Sequence, residues 1–441
     1  MPQVIYNFPK GFLWGTATAA HQVEGSNYRN NWAAWEKQEG RIKNGQKAGL
    51  ACDWWNGRWK EDLDRAAETG QNAHRLSVEW SRIQPDPDHW DEGALEYYRS
   101  ILRGLTDRGL TPLVTLHHFS DPQWLMELGG WENEQTPARF EMFVRKVVEA
   151  LREYVNLWVV INEPNVYTLN GYMDGSFPPG KHDNAAAYQV MLNLLRGHAA
   201  GYHTIHELQP EARVGSSINY HSFKAARPWN PLDSFVAKQL HEAFNNSFAQ
   251  TLVNGKFSFL NKSTQLREAV KTQDFVGVNY YTRTLVEFSP SSSSLFSKRH
   301  FPPEARLSST GFMANVPEGM FEALKWAARF ELPIIVTENG VEDGDDSLRP
   351  EYLTEHIHQV WRGLNYNWPI KGYFHWSLVD NFEWERGWTQ RFGLWGLNPE
   401  TQARIRRKSV DLYEAICKAN ALSSDMVEKY ASGAYERIFP K

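Results

Sequence analysis

Two glutamates stand where apolar runs end. Leu157-Trp-Val-Val-Ile-Asn162-Glu163-Pro164 carries an amide and a carboxyl to its end, and Pro333-Ile-Ile-Val-Thr337-Glu338-Asn339-Gly340 carries a second carboxyl. Breaking a glycosidic bond needs such a pair, one group to protonate the leaving oxygen and one to meet the developing oxocarbenium ion. A lone acidic residue at a strand end is usually a salt-bridge partner or a helix cap. Two in one style of context argue for chemistry. Their spacing would decide the outcome: about 5 to 5.5 Å lets one carboxylate attack the anomeric carbon with retention, and roughly 6.5 to 9.5 Å implies inversion. Pro164 is expected to stop its strand, and Gly340 to permit a sharp turn.

The elements that must position these groups can be read from the same pattern. Eight β-rich runs begin near Phe12, Ala73, Leu113, Leu157, Ala212, Phe275, Pro333 and Lys371. Between them lie segments with helical periodicity, among them Trp59 to Glu68, Glu141 to Tyr154 and Asn184 to Leu208. This order predicts an α/β fold, a single (β/α)8 TIM barrel forming one catalytic domain over residues 1–441. The active-site face of a barrel is made by the C-terminal strand ends. The runs finish there in His117 and His118, Asn162 and Glu163, Asn279 and Tyr281, and Glu338 and Asn339. Two long loops are expected on that face, Gly171 to Gly180 with Pro178 and Pro179, and the serine-rich Ser289 to Ser294, which would overhang the pocket mouth. Either could gate access. No short-period repeat and no linker divides the chain.

Composition excludes other classes. The chain has 441 residues, 41% hydrophobic and 22% charged, with a formal charge of -5, which gives no basic field for nucleic acid or an acidic membrane surface. No run of eighteen apolar residues suggests a span, and the first ten residues lack a signal-peptide pattern, so a cytoplasmic protein is expected. Cys52 and Cys417 are the only cysteines, too few for a disulfide framework or a thiolate metal site. Adjacent histidines on a strand face opposite ways, so His117 and His118 cannot easily share an ion, and no H-E-x-x-H arrangement occurs. No metal and no cofactor are expected. The 19 tryptophans suit stacking on sugar C–H faces, although core packing must claim several.

Four motifs in order make the reading specific: Phe12-Leu-Trp-Gly-Thr-Ala-Thr-Ala-Ala-His-Gln22-Val-Glu-Gly25, Asn162-Glu163-Pro164, Thr337-Glu338-Asn339-Gly340 and Trp376-Ser-Leu-Val-Asp-Asn-Phe-Glu383-Trp384. On these the chain resembles glycoside hydrolase family 1, the β-glucosidase and β-galactosidase family, over nearly its whole length. The resemblance implies a retaining exo-β-glycosidase acting on small β-glycosides or short oligosaccharides, with Glu163 as acid/base and Glu338 as nucleophile. It places Arg75 and Tyr281 against the Glu338 carboxylate, the arginine keeping it ionised. It puts Asn162 at the sugar's 2-hydroxyl, Gln22, His118, Glu383 and Trp384 at other hydroxyls, and Trp376 beneath the ring as a floor. Repulsion from Glu338 would keep Glu163 protonated. A Glu383 carboxylate would accept two hydroxyls and repel phosphate.

Two departures bear on specificity. His118 is followed by Phe119 where the family usually has tryptophan, so an indole donor to the 3-hydroxyl is lost. Met313 stands where an aglycone-stacking tryptophan is usual, which implies a permissive leaving-group site. A catalytically dead sugar-binding barrel and a predominantly transglycosylating enzyme are the alternatives. The dead barrel would ordinarily lack one carboxylate, and both are present.

Overall fold

The computed structural model describes residues 3–292 and 296–440. Eight parallel strands close into a barrel in sequence order: β1 (Leu13–Ala17), β2 (Ala73–Ser77), β3 (Thr111–His117), β4 (Leu157–Asn162), β5 (Arg213–Asn219), β6 (Phe275–Tyr280), β7 (Ile334–Asn339) and β8 (Ile370–Trp376). Strands buried on both faces read as continuous apolar runs, and each of the eight begins within two residues of its expected place.

The helices pack outside. Trp59–Glu68 and Asn184–Leu208 have the expected bounds, and the second starts where the Asp183 carboxylate accepts from the Ala185 and Ala186 N–H groups. The helix read as Glu141 to Tyr154 runs instead over Thr136–Leu151. Pro137 occupies its first turn, where a missing N–H leaves nothing unpaired, so the helix begins before its apolar periodicity does. Asn184–Leu208 lies close on the barrel. A Cβ at its Gly201 would come within 2.8 Å of Val160 Cγ1 on β4. None of the described helices is long and apolar enough to cross a membrane.

Most of the tryptophan is structural. Fourteen of the 19 are buried, Trp158 and Trp131 among the largest side chains wholly withdrawn from solvent. Both cysteines are buried and free. At the C-terminal face a three-stranded sheet, Ser222–Ala225, Arg283–Phe288 and Ser297–His300, extends the connections after β5 and β6. The strand Ile5–Asn7 pairs antiparallel with Ala421–Ser423 and ties the two ends of the described chain together.

Candidate active site

The carboxyls are aimed by irregular strand ends. The barrel register slips between Val159 and Asn162 on β4, between Val278 and Asn279 on β6, and between Val336 and Asn339 on β7. Such slips re-aim side chains at the rim of a barrel, and these stand directly before Glu163, at Asn279 and across Glu338.

Arg75, fully buried on β2, organises the centre. Its Nη1 pairs with Glu338 Oε1 and donates to the Thr337 carbonyl at 3.2 Å, Nη2 donates to Asn162 Oδ1 at 2.6 Å, and Nε to Thr115 Oγ1 at 3.1 Å. Tyr281 donates its hydroxyl to Glu338 Oε2 at 2.6 Å. Both Glu338 oxygens therefore accept strong donors, the arrangement that holds a carboxylate in place as an anion. Glu163 is held more lightly. Asn279 Nδ2 and Asn219 Nδ2 donate to its Oε1 at 2.7 and 3.0 Å. Thr337 Oγ1 donates to Asn279 Oδ1 at 2.6 Å and so orients that amide, whose Nδ2 also reaches Asn162 Oδ1 at 3.3 Å. A continuous chain of hydrogen bonds thus runs from Glu163 through Asn279, Asn162 and Arg75 to Glu338.

Electrostatics separates the two acids. Burial, then the charge of Glu338, pushes the Glu163 carboxyl up to about 8, against opposing hydrogen bonds from Asn279 and Asn219. Repulsion, expected to be the cause, is thus second to desolvation. Burial and the carboxylates of Glu385, Glu338 and Glu163 likewise push Glu383 up to about 8. The carboxylate expected at Glu383 is thus pushed towards its protonated form in the pocket without sugar. Burial keeps His118 well below the usual imidazole range, and Tyr281 well above the usual phenol range, so both are neutral. His117 turns away from His118 to bond Asp121 at 3.0 Å, whereas His118 faces the rings of Trp376 and Trp384. Among the described residues no group of three or more His, Cys, Asp or Glu side chains could hold a metal ion.

The backbone is strained at three points around the pocket. Phe119, Glu163 and Trp384 have φ of 66°, 43° and 46°, left-handed values that side chains other than glycine avoid and that cluster at functional sites. Pro164 does end its strand, and it opens the short helix Pro164–Thr168. Gly340 differs from expectation. Its backbone does not need a positive φ, and what it supplies is room, since a Cβ there would lie 2.0 Å from the Trp376 carbonyl oxygen. Gly340→Ala is therefore expected to part the ends of β7 and β8, costing about 1–3 kcal/mol of stability and lowering kcat. Thermal melting and initial rates check this, and an unchanged melt with an undiminished rate would show that the contact imposes nothing.

A cavity of about 330 Å³ opens over these groups, with Glu163, Glu338, His118, Trp376, Glu383 and Trp384 in its wall. Gln22 sits behind Glu383 and donates to its Oε2 at 3.2 Å and to the Phe382 carbonyl at 2.7 Å. Gln22 Oε1, Asn162 Nδ2 and His118 Nδ1 are buried without a hydrogen-bond partner. Buried polar atoms are normally paired, and of these three the one on a residue of the cavity wall is His118 Nδ1. A larger groove along Phe235 and Phe259, of about 760 Å³, has no such convergence.

The loops meet expectation unevenly. Gly171 to Gly180 reaches the pocket through Phe177, whose ring lies 5.4 Å from Phe119 and 6.3 Å from Trp384. Of the serine run, Ser293 and Ser294 lie outside the described residues, and Ser289 to Ser292 do not line the cavity. The same connection contributes Phe312 and Met313 instead. Met313 is only 3% exposed and Phe312 39%, so the aromatic presented at the mouth is the neighbour of the expected position. Asn219, His221, Phe177, Phe312, Glu385 and Arg386 had no place in the sequence reading. Asn219 closes a strand and was open to detection as such, while the others come from loops without periodicity.

Comparison with known proteins agrees with this geometry. The model of the family described as glycosyl hydrolase family 1 matches residues 5–422. A 1,4-beta-D-glucan glucohydrolase of Thermotoga neapolitana is 34% identical, with 94% of this chain and 99% of that protein aligned. Beta-glucosidase A of Thermotoga maritima is also 34% identical, over 95% and 99% of the two chains. Among solved structures, a beta-glycosidase from Pyrococcus horikoshii superposes with a TM-score of 0.90 at 34% identity, covering 97% of this chain and 98% of that one. A beta-glucosidase from Thermotoga maritima in complex with glucoimidazole gives 0.88 at 31% identity, over 95% and 100%.

Proposed function

The chain belongs to glycosyl hydrolase family 1, and from that membership we propose how its pocket carries out the reaction of a retaining β-glucosidase. The protein is an O-glycosyl hydrolase whose substrates are β-glycosides. The observation that carries the division of labour is the unequal treatment of two buried carboxyls, Glu338 with both oxygens occupied by Arg75 and Tyr281 and Glu163 with its proton held to about pH 8.

In the first step Glu163 gives its proton to the glycosidic oxygen. The bond from that oxygen to the anomeric carbon breaks as a Glu338 oxygen attacks the carbon from the opposite face. The product is a glycosyl ester on Glu338 and a free alcohol. Esterification removes the Glu338 charge, one of the causes that raised Glu163, and the Glu163 carboxylate left by step one is then the base for water. Water attacks the same carbon as its bond to the Glu338 oxygen breaks, the water's proton goes to Glu163, Glu338 returns to a carboxylate, and the sugar leaves with its original configuration. Asn162 Nδ2, buried without a partner, is proposed to bond the sugar's 2-hydroxyl, a contact that strengthens in the transition state. Gln22, His118, Glu383 and Trp384 hold the remaining hydroxyls over the Trp376 ring. The leaving group is proposed to be an aryl or alkyl group or a short oligosaccharide, and the site of action the cytoplasm, where Cys52 and Cys417 stay reduced.

Hydrolysis of p-nitrophenyl β-glucoside, β-galactoside and β-fucoside tests the reading. Release of nitrophenol from none of the three would move the sugar-binding alternative ahead. A finer test concerns Asn279. Its hydrogen bond lowers the Glu163 carboxyl, so Asn279→Ala is expected to move the alkaline limb of kcat/KM upward from about pH 8, with a rate loss on the order of tenfold from the broken bond. A limb that stays in place or moves down would separate Asn279 from the acid.

A further inference from the structure

Thr337 takes no part in either displacement, yet it stands between the two acids. The ladder between β6 and β7 pairs Val278 with Val336 and then Asn279 with Glu338, so Thr337 is the extra residue of a bulge. It is wholly buried. Its carbonyl accepts from Arg75 Nη1 at 3.2 Å, on the side of the nucleophile, and its hydroxyl donates to Asn279 Oδ1 at 2.6 Å, on the side of the acid. The amides that hold Glu163, those of Asn279 and Asn219, both end on the same oxygen, Oε1. We propose that Thr337 is a positioning residue for the acid: by occupying Asn279 Oδ1 it keeps that amide a donor to Glu163 Oε1, and so keeps the transferable proton on Oε2 for the leaving group. The proposal rests on the function given above.

A side-chain amide presents donors at one end and an acceptor at the other, so its orientation decides which form of a neighbouring acid it favours. With Nδ2 towards Glu163, 2.7 Å from Oε1, Asn279 donates, which suits a carboxylate oxygen and excludes a proton from it. Turned over, Asn279 would present Oδ1, and a protonated Glu163 would donate to it. That bond would draw the proton to the amide and away from the substrate. The ionised acid prevents this by itself, because two acceptors, Glu163 Oε1 and Asn162 Oδ1, then face Nδ2. The protonated acid, which begins the reaction, does not. There the Thr337 hydroxyl decides, since its own buried proton goes to Asn279 Oδ1 and reversal of the amide would take that acceptor away.

The groups that face Glu163 with charge are Glu338 on β7, Arg75 on β2, Tyr281 after β6 and Glu383 after β8. His118 and His221, both held below the usual imidazole range by burial, stand in the same wall. Removing the Thr337 hydroxyl alters none of these. It acts on Asn279, whose hydrogen bond is the foremost of the causes that lower the Glu163 carboxyl. The sign of the change is therefore particular. An amide whose Oδ1 lacks a donor favours the protonated acid and moves the alkaline limb up. A pocket merely loosened admits water, undoes the burial that raises Glu163, and moves the limb down.

The test is the pH dependence of kcat/KM for octyl β-glucoside, set beside dinitrophenyl β-glucoside, in Thr337→Val and Thr337→Ala, which lack the hydroxyl, and in Thr337→Ser, which keeps it. In the first two the alkaline limb is expected to move up from about pH 8 by about 0.5–1 unit, the scale of one hydrogen bond. The ratio of octyl to dinitrophenyl kcat/KM is expected to fall about three- to tenfold, because dinitrophenolate departs without a proton. A ratio taken within each variant cancels any loss of folded protein. Thr337→Ser is expected to restore limb and ratio. In an Asn279→Ala background Thr337→Val should add no further shift, since the group it acts through is gone. A limb that stays or moves down, equal losses on both substrates, a serine variant as impaired as the valine, or an undiminished shift without Asn279 overturns the positioning role alone. A native chain inert towards both glucosides overturns the proposed function and the role with it.

Discussion

Glu338→Ala is expected to lower hydrolysis of p-nitrophenyl β-glucoside by about 10⁴-fold or more, the scale on which removing a nucleophile costs an enzyme. Added azide is expected to restore turnover and to yield the α-glucosyl azide, the inverted product. Truncation empties the position of the attacking carboxylate and leaves its donors, Arg75 and the Tyr281 hydroxyl, still pointing there. A small anion can take that place and attack from the same face, but its adduct has no second displacement to undergo. NMR of the product settles the configuration. A variant that keeps a tenth of native activity, or that makes β-azide, would remove Glu338 from the role.

Glu163→Ala should behave differently, because an acid matters in proportion to how badly the leaving group needs a proton. Oligosaccharides and alkyl glycosides are expected to lose about 10²- to 10⁴-fold, the usual contribution of general acid catalysis. Dinitrophenyl glycosides, whose leaving group departs as a stable anion, should still glycosylate Glu338 quickly, and a burst of phenolate should then stall at the covalent ester for want of a base. The pH profile carries the same information. The active form of Glu163 is protonated, and its pKa is raised from an ordinary carboxyl value to about 8, so kcat/KM is present below that pH and lost as pH rises through it. The alkaline limb should vanish in Glu163→Ala with an activated substrate. Equal losses across all leaving groups, or a limb that persists, would place the acid elsewhere.

What could be read in advance follows from where the information lies. The strands were legible because a parallel strand buried on both faces must be apolar along its length, which makes the polar residues at its end conspicuous; Asn162, Glu163 and Glu338 stood out for that reason. Arg75 and Tyr281 came from resemblance, and the structure puts both on Glu338. Asn279 was visible as a strand-end amide but had no partner until β6 and β7 were set side by side, where it pairs with Glu338 in register and bonds Glu163. Phe312, Phe177, Glu385 and Arg386 lie on loops, whose course is set by contacts distant in sequence, such as Thr310 with Glu342. No local pattern announces such residues. The need for glycine at 340 is illegible in sequence, since a close approach between two strand ends leaves no trace in either strand alone.

The protons on Glu163 and Glu383 have a meaning beyond the reaction. Both carboxyls titrate near 8 in the folded chain and near 4.5 when free of its surroundings, so the native state binds protons that the unfolded state releases. Stability from this source is full below about pH 4.5 and drains away as pH climbs to about 8, because the slope of unfolding free energy follows protons bound unfolded minus protons bound native. The pocket thereby couples two alkaline limits: the proton whose departure silences the acid is one whose departure also loosens the barrel around it.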